Sequence, residues 1–291
     1  MGGHRLEKCA GLKATHLAHI RNLEAACNRF ESLHMELNWD MLERRPLDQV
    51  NDFLLYIDDG PVGYLALFGF NQNEAEATAM THPDYRRQGV FRRLLAAALQ
   101  ELARRRTPDI LFFCEQASTS GIGTMRALKA TYDFSEYKMR LKRSPPRRSQ
   151  SALQLRPAGP KDLALLVQLD RLCFDVAGDA SQSYLREALA DPHRRAWVAR
   201  VGQETIGKIV TLLHPPQADI SGFCLLPAHR KKGYGTWILA ETVARLLDEG
   251  CTDISLEVAT DNSGALSLYE RCGFEIVTAY DYYRLPVQPA S

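Results

Sequence analysis

The chain has 291 residues, 24% of them charged, with 36 lysines and arginines against 35 aspartates and glutamates and a net charge of +1. That balance argues against a protein that works by a basic face on nucleic acid, and no apolar run is long enough to span a bilayer. The seven cysteines sit at no disulfide or metal-ligand spacing and read as reduced, mostly buried thiols; with no apolar leader over residues 1–22, the expected setting is cytoplasmic.

The length suits two ordinary domains. In the first half, Leu17 to Leu33 have helical periodicity, Phe53 to Ile57 and Val62 to Phe70 read as strands around the turn Asp58-Asp59-Gly60, and a helix over Leu94 to Leu102 follows the basic loop Arg86-Arg87-Gln88-Gly89. Met35, Trp39 and Met41 read as an amphipathic core face. An apolar strand ends near Leu141 and another begins at Leu153; between them KRSPPRRSQS is polar, basic and proline-containing. With no aromatic residue interleaved, that run reads as a solvated linker. The expected organisation is a first domain over 1–143, a linker over 144–151 and a second domain over 152–291.

In the second half, helices over Leu163 to Cys173 and Tyr184 to Ala190 precede hairpin strands at Trp197 to Val201 and Ile206 to Leu212. Ile220, Phe223, Leu225 and Leu226 form a further strand, ended by Pro227. Then comes the loop Arg230-Lys231-Lys232-Gly233-Tyr234-Gly235-Thr236, running into an amphipathic helix with Ile238, Leu239, Val243, Leu246 and Leu247. Unpaired N–H groups at a helix start favour an anion, and glycines let it approach the backbone, so the loop suits a pyrophosphate. Ile254, Leu256 and Val258 alternate as a half-buried strand, followed by Asn262 to Tyr269 and then Gly273-Phe274.

The two halves repeat one pattern. Pro83, Arg86 and Gly89 recur as Pro227, Arg230 and Gly233, and Val62-Gly63 as Ile206-Gly207, all displaced by 144 positions. Glu115, Ser120 and Tyr132 correspond to Glu257, Asn262 and Phe274 at a displacement of 142. The fold class expected is α/β (α+β), a mixed, mainly antiparallel sheet with helices on both faces, present twice.

The loop, with its arginine, two intervening residues, glycine, one residue and a second glycine, resembles the acetyl-CoA loop of the GNAT superfamily of N-acyltransferases, and the Asn262 to Tyr269 segment resembles that family's second signature. The resemblance implies that Arg230, Lys231, Lys232, Gly233, Tyr234, Gly235 and Thr236 hold the pyrophosphate and that Asn262 contacts the pantetheine arm. It also implies a bulge in the preceding strand, which would offer the oxyanion a backbone N–H near Leu225 or Leu226, and Tyr269 as the general acid that protonates the leaving thiolate. Some family members carry a carboxylate eleven residues before the loop; here that is Asp219, the candidate general base, with Glu257 as fallback. His229 reads as a turn residue rather than a base. No metal is expected.

The first half departs from this pattern. Phe91 stands where the second half has Gly235, and at a displacement of 142 Ala127 falls opposite Tyr269. The first domain is therefore expected to be degenerate and the second catalytic, although Arg86 to Gly89 leave a residual CoA site open. The implied function is acetyl transfer from acetyl-CoA, as cosubstrate, to a primary amine of a small molecule or peptide, with neither nucleic acid nor membrane as partner and a monomer by default. Two alternatives stand beside it: a noncatalytic CoA-binding or interaction module, and an acyltransferase with a different donor. Acceptor specificity is expected around Leu33 to Leu47 and Phe174 to Ser183, and Asp170, Asp175 and Asp179 would suit a cationic amine.

Overall fold

The computed structural model describes residues 4–58, 60–69, 73–146, 152–174 and 178–287, with side chains from 181 onward in the last stretch. Asp59 of the expected turn and residues 147–151 of the expected linker lie outside the described residues. The chain forms two compact units, one of residues 1–135 with 279–291 and the other of residues 136–278.

The first unit contains β1 (His4–Ala10), α1 (Ala14–Glu31), α2 (Trp39–Glu43), β2 (Val50–Ile57), β3 (Gly60–Phe68), β4 (Glu74–Thr81), α3 (Val90–Arg105), β5 (Asp109–Glu115) and α4 (Thr119–Leu128). Strand β6 (Thr131–Leu141) leads out of it. The second unit contains β7 (Leu153–Pro157), α5 (Leu163–Phe174), α6 (Gly178–Ala190), β8 (Arg194–Val201), β9 (Glu204–His214), β10 (Gln217–Leu225), α7 (Tyr234–Asp248), β11 (Asp253–Ala259) and α8 (Ser263–Arg271), and β12 (Phe274–Pro286) runs on from it.

Within each unit the strands pair antiparallel except at one place: β4 is parallel to β5, and β10 is parallel to β11. Both faces of each sheet are covered, so the central strands are apolar almost throughout rather than alternating. Phe53 and Leu55 of β2 face α3 with Leu94 and Phe112, while Leu54 and Tyr56 face α1 with Ile20 and Leu23. In the second unit Ile220 and Leu256 pack with Leu239 and Val243 of α7, and Val198 and Val210 pack with Leu166 and Leu185 on the opposite face. Met35, Trp39 and Met41 pack on the α1 side of the core, with the Arg21 guanidinium 3.7 Å from the Trp39 ring centroid.

The last strand of each unit comes from the other half of the sequence. Glu136 to Arg140 of β6 pair with Ala259 to Ser255 of β11, and Tyr280 to Pro286 of β12 pair with Glu115 to Asp109 of β5. The compact units are thus divided near residues 135 and 279 rather than at the polar run over 144–151. Ladder hydrogen bonds are made by backbone and leave no mark in composition.

Candidate active site

In both units the parallel pair opens into a split. Register pairing between β10 and β11 stops at Ile220 and Leu256, and between β4 and β5 at Ala77 and Phe112, although all four strands continue beyond those points. The copies then differ. Opposite β9, β10 shifts register between Ser221 and Cys224, while β4 runs opposite β3 without a shift. The repeat locates the extra residue. Phe68 pairs with Glu76 as Leu212 pairs with Asp219, and Gly63 pairs with Thr81 as Gly207 pairs with Leu225. The offset between copies therefore rises from 143 at Asp219 to 144 at Leu225, and that one added residue is the bulge. Gly222 sits in it at φ +53°, a backbone conformation that glycine adopts without Cβ strain.

Beyond the bulge, the Leu226 N–H donates to the Ile206 carbonyl at 2.8 Å and is committed to β9. Because backbone groups alternate along a strand, the Leu225 N–H points the other way, toward the split. Of the two oxyanion donors expected from the sequence, this geometry leaves Leu225.

A single 3-10 turn, Pro227–His229, connects β10 to the basic loop, and Arg230 folds back to donate from Nε to the Leu225 carbonyl at 3.0 Å. Arg230, Lys231 and Lys232 are exposed, and Lys231 and Gly233 hold φ of +60° and +82° immediately before α7 begins at Tyr234. The first-turn N–H groups of a 15-residue helix thus meet three cations at one end of the split. Thr236 lies half-buried in that turn. Gly235 has a different reason for being glycine than anion approach: it is buried, and a Cβ there would come within 3.1 Å of the Leu268 side chain, so it permits α7 to pack against α8. His229 has a partner the sequence did not reveal, Glu204 Oε1 at 3.0 Å.

Tyr269 lies on the inner face of α8, only 7% exposed, edge-on to Phe274 at 6.3 Å between centroids. Burial pushes its phenol up to about 12, with the neighbouring Cys272 adding to the shift, so the hydroxyl keeps its proton across the neutral range. Asn262 caps α8, its Oδ1 accepting from Ala265 N at 3.2 Å, which commits the oxygen and leaves the amide nitrogen as the donor. Asp219 is exposed on the face opposite Ala218 and Ile220, at a position still paired with Ser255 of β11, whose hydroxyl donates to its carboxylate. Glu257 lies two residues further along β11 on the same face. Asp170, read from sequence as an acceptor-binding acid, is instead buried in an ion pair with Lys208 at 2.7 Å. Asp175 and the side chain of Asp179 lie outside the described residues.

The first unit keeps the loop backbone, with Arg87 and Gly89 at φ +62° and +80°. Its split, however, is bridged by the chain itself. Glu31 at the end of α1 pairs with Arg86 at 3.1 Å on the β4 side and accepts from Ser118 Oγ, Ser120 Oγ and Ser120 N on the β5 side. Those bonds hold its carboxyl below the usual range although burial opposes them. Just beyond, the His34 N–H donates to Glu115 at 2.8 Å, fastening the segment after α1 to the end of β5. Phe91 packs into the α3 core, edge-on to Phe112.

The cap residues also correct the alignment of the copies. Ser118 accepts from Gly121 N as Asn262 accepts from Ala265 N, each from the residue three positions on, so the displacement here is 144 rather than 142. Met125, 3% exposed, therefore stands opposite Tyr269, and Ala127 does not. The first copy lacks a phenol under either alignment. Sequence reasoning missed Glu31 because it joins positions 87 and 89 residues apart with no periodicity. It also missed Lys208, for which a signal existed: a lone lysine in the apolar strand ETIGKIVTLLH.

Residues 163–274 match the model of the acetyltransferase (GNAT) family, and residues 50–128 match that of an acetyltransferase (GNAT) domain. The chain belongs to the GNAT family, with two such domains. Among its relatives is aminoglycoside N(6')-acetyltransferase type 1 of Stenotrophomonas maltophilia, 28% identical over 151 residues, 48% of this chain and 98% of that one. N-acetyltransferase 8F1 of Rattus norvegicus is 29% identical over 103 residues, where the match spans 33% of this chain and 44% of the relative. These GNAT relatives are N-acetyltransferases, and the chain is an enzyme of that class. Two solved structures share the fold along nearly the whole chain. A GCN5-related N-acetyltransferase from Sphaerobacter thermophilus has TM-score 0.80 and 17% identity, covering 99% of this chain and 97% of its own. A tandem GNAT protein from the clavulanic acid biosynthesis pathway has TM-score 0.75 and 16% identity, with 99% and 100% covered.

Proposed function

We propose that the second domain transfers an acetyl group from acetyl-CoA directly to a primary amine of a small molecule or peptide, and that the first domain is a degenerate copy. The observation that carries this reading is the bulge: of the two splits, that of β10 alone has one, and it is followed by the cationic loop. The pantetheine arm would add to β10 like a strand, with its pyrophosphate on Arg230 to Thr236 and Asn262 donating an amide hydrogen to it.

In this mechanism Asp219, through water, takes a proton from the acceptor ammonium. The amine lone pair attacks the thioester carbonyl, and the Leu225 N–H stabilises the oxyanion. The carbon–sulfur bond then breaks as Tyr269 gives its proton to the departing sulfur. The second proton of the former amine, now acidic on the tetrahedral nitrogen, leaves through water and restores the Tyr269 phenol, so that neutral amide and CoA thiol are released and the proton on Asp219 returns to solvent. A phenol held up to about 12 is protonated at neutral pH, as a general acid must be before it donates. Asp219 and Glu257 on the acceptor side suit a cationic amine. The aminoglycoside acetyltransferase named above supports a small-molecule acceptor.

Calorimetric titration of acetyl-CoA tests the reading. One site per chain is expected, lost in an Arg230→Ala/Gly233→Trp variant and kept in Arg86→Ala/Gly89→Trp. Two sites would overturn the degeneracy of the first domain, and no binding at all would remove acetyl-CoA as donor.

A further inference from the structure

Lys208 is 1% exposed, one of the largest fully buried side chains of the protein. It projects from β9 at the position paired with Cys224, the first residue after the bulge. Its Nζ lies 2.7 Å from Asp170 Oδ1 on α5, and the other oxygen of that carboxylate accepts from Ser181 Oγ on α6, also at 2.7 Å. The ammonium also lies 3.4 Å from where a Cβ would stand on Gly222, directly against the bulge. Two helices on the acceptor side are therefore joined to the bulged strand through one buried cation.

The first unit supplies a natural comparison. At the position displaced by 144 stands Tyr64, paired with Met80 as Lys208 is paired with Cys224. Its hydroxyl donates to Asp52 of the neighbouring strand at 2.6 Å, and Arg45 completes that buried group. Here the polar side chain is tied within the sheet, and β4 has no bulge. In the second unit it is tied to the helices, and β10 has one. An apolar pair of similar volume would fill the same space without desolvating two charges. A buried ion pair is thus weakly explained by stability alone.

We infer that Lys208, Asp170 and Ser181 are positioning residues that hold the bulge of β10 in the shape that receives the acyl thioester. This rests on the reading of the second domain as the acetyl-CoA site. The ammonium makes the bulge geometry depend on where α5 and α6 lie, so the segments that meet the acceptor and the strand that meets the donor move together.

The test compares wild type, Lys208→Arg, Ser181→Ala and the paired variant Lys208→Met/Asp170→Leu, which removes both charges and keeps the volume. Melting temperature, calorimetric acetyl-CoA affinity and the infrared carbonyl band of bound [1-13C]acetyl-CoA are measured for each. In the paired variant the melting temperature is expected to stay near wild type, while Kd for acetyl-CoA weakens about tenfold or more and the carbonyl band moves toward its position in free acetyl-CoA. Lys208→Arg should stay near wild type in affinity. Ser181→Ala, a change too small to unfold the domain, should weaken binding about threefold with the band shifted in the same direction. Wild-type affinity and an unmoved band in both Ser181→Ala and the paired variant would overturn the inference and leave the triad a structural ion pair. Failure of wild type to bind acetyl-CoA would instead overturn the underlying reading, and this inference with it.

Discussion

Burial pushes the Tyr269 phenol up to about 12, so its hydroxyl carries a proton at neutral pH, as an ordinary phenol's does. Tyr269→Phe keeps the packing against Phe274 and removes only the hydroxyl, so turnover should fall about 10²-fold or more with little change in acetyl-CoA affinity, as single-turnover kinetics beside calorimetry would record. A second residue-scale consequence concerns acid stability. Arg156 grips Asp162 with two bonds, of 2.9 and 2.6 Å, and Gly159 N adds a third, closing the turn before α5. The Arg156 guanidinium holds the Asp162 carboxyl down to about 2. A depressed folded value contributes stability above the ordinary carboxylate range, and that stability is lost as pH falls toward about 2. Asp162→Asn should therefore cost about 1 kcal/mol at neutral pH. In calorimetric scans the difference from wild type should shrink below about pH 4 and vanish near the folded value.

At the scale of elements, the bulge is the backbone difference between the two splits: β10 shifts register opposite β9, and β4 runs opposite β3 without a shift. Deleting Gly222 would give β10 the residue count and register of β4. The variant is expected to keep its helical circular dichroism while losing acetyl-CoA affinity about tenfold or more, since the arm would meet backbone groups aimed elsewhere. Elements were largely legible in the sequence. The strand and helix order, the repeat and the loop at the start of α7 all follow from apolar periodicity and glycine positions, because those features act locally. The register of the repeat was legible only in part: offsets of 144 and 142 were both visible, and only the matching caps at Ser118 and Asn262 decide between them. The links between elements were not legible. Glu31 across the first split and Lys208 beneath the bulge depend on which side chains the fold brings within hydrogen-bond reach, and polar residues at scattered positions carry no period to announce it.

At the scale of the molecule, the units are not the halves. Residues 136–278 form a compact unit that includes the strand from 136 to 140 beside β11, and a fragment starting at 152 leaves that edge bare. An uncovered edge of Leu256 and Val258 is a template for association. A fragment of residues 136–278, which keeps the strand beside β11, is expected to bind acetyl-CoA, whereas 152–291, which leaves β11 bare, should bind it more weakly, as calorimetric titration of the two would reveal. The same arrangement makes one unit a contiguous stretch of chain and the other a discontinuous one, open until Tyr280 to Pro286 arrive beside β5. On the ribosome, then, the order of completion reverses the order of synthesis. Residues 1–135 emerge first yet wait with the β5 edge unpaired, while the unit encoded after them already has all of its own strands.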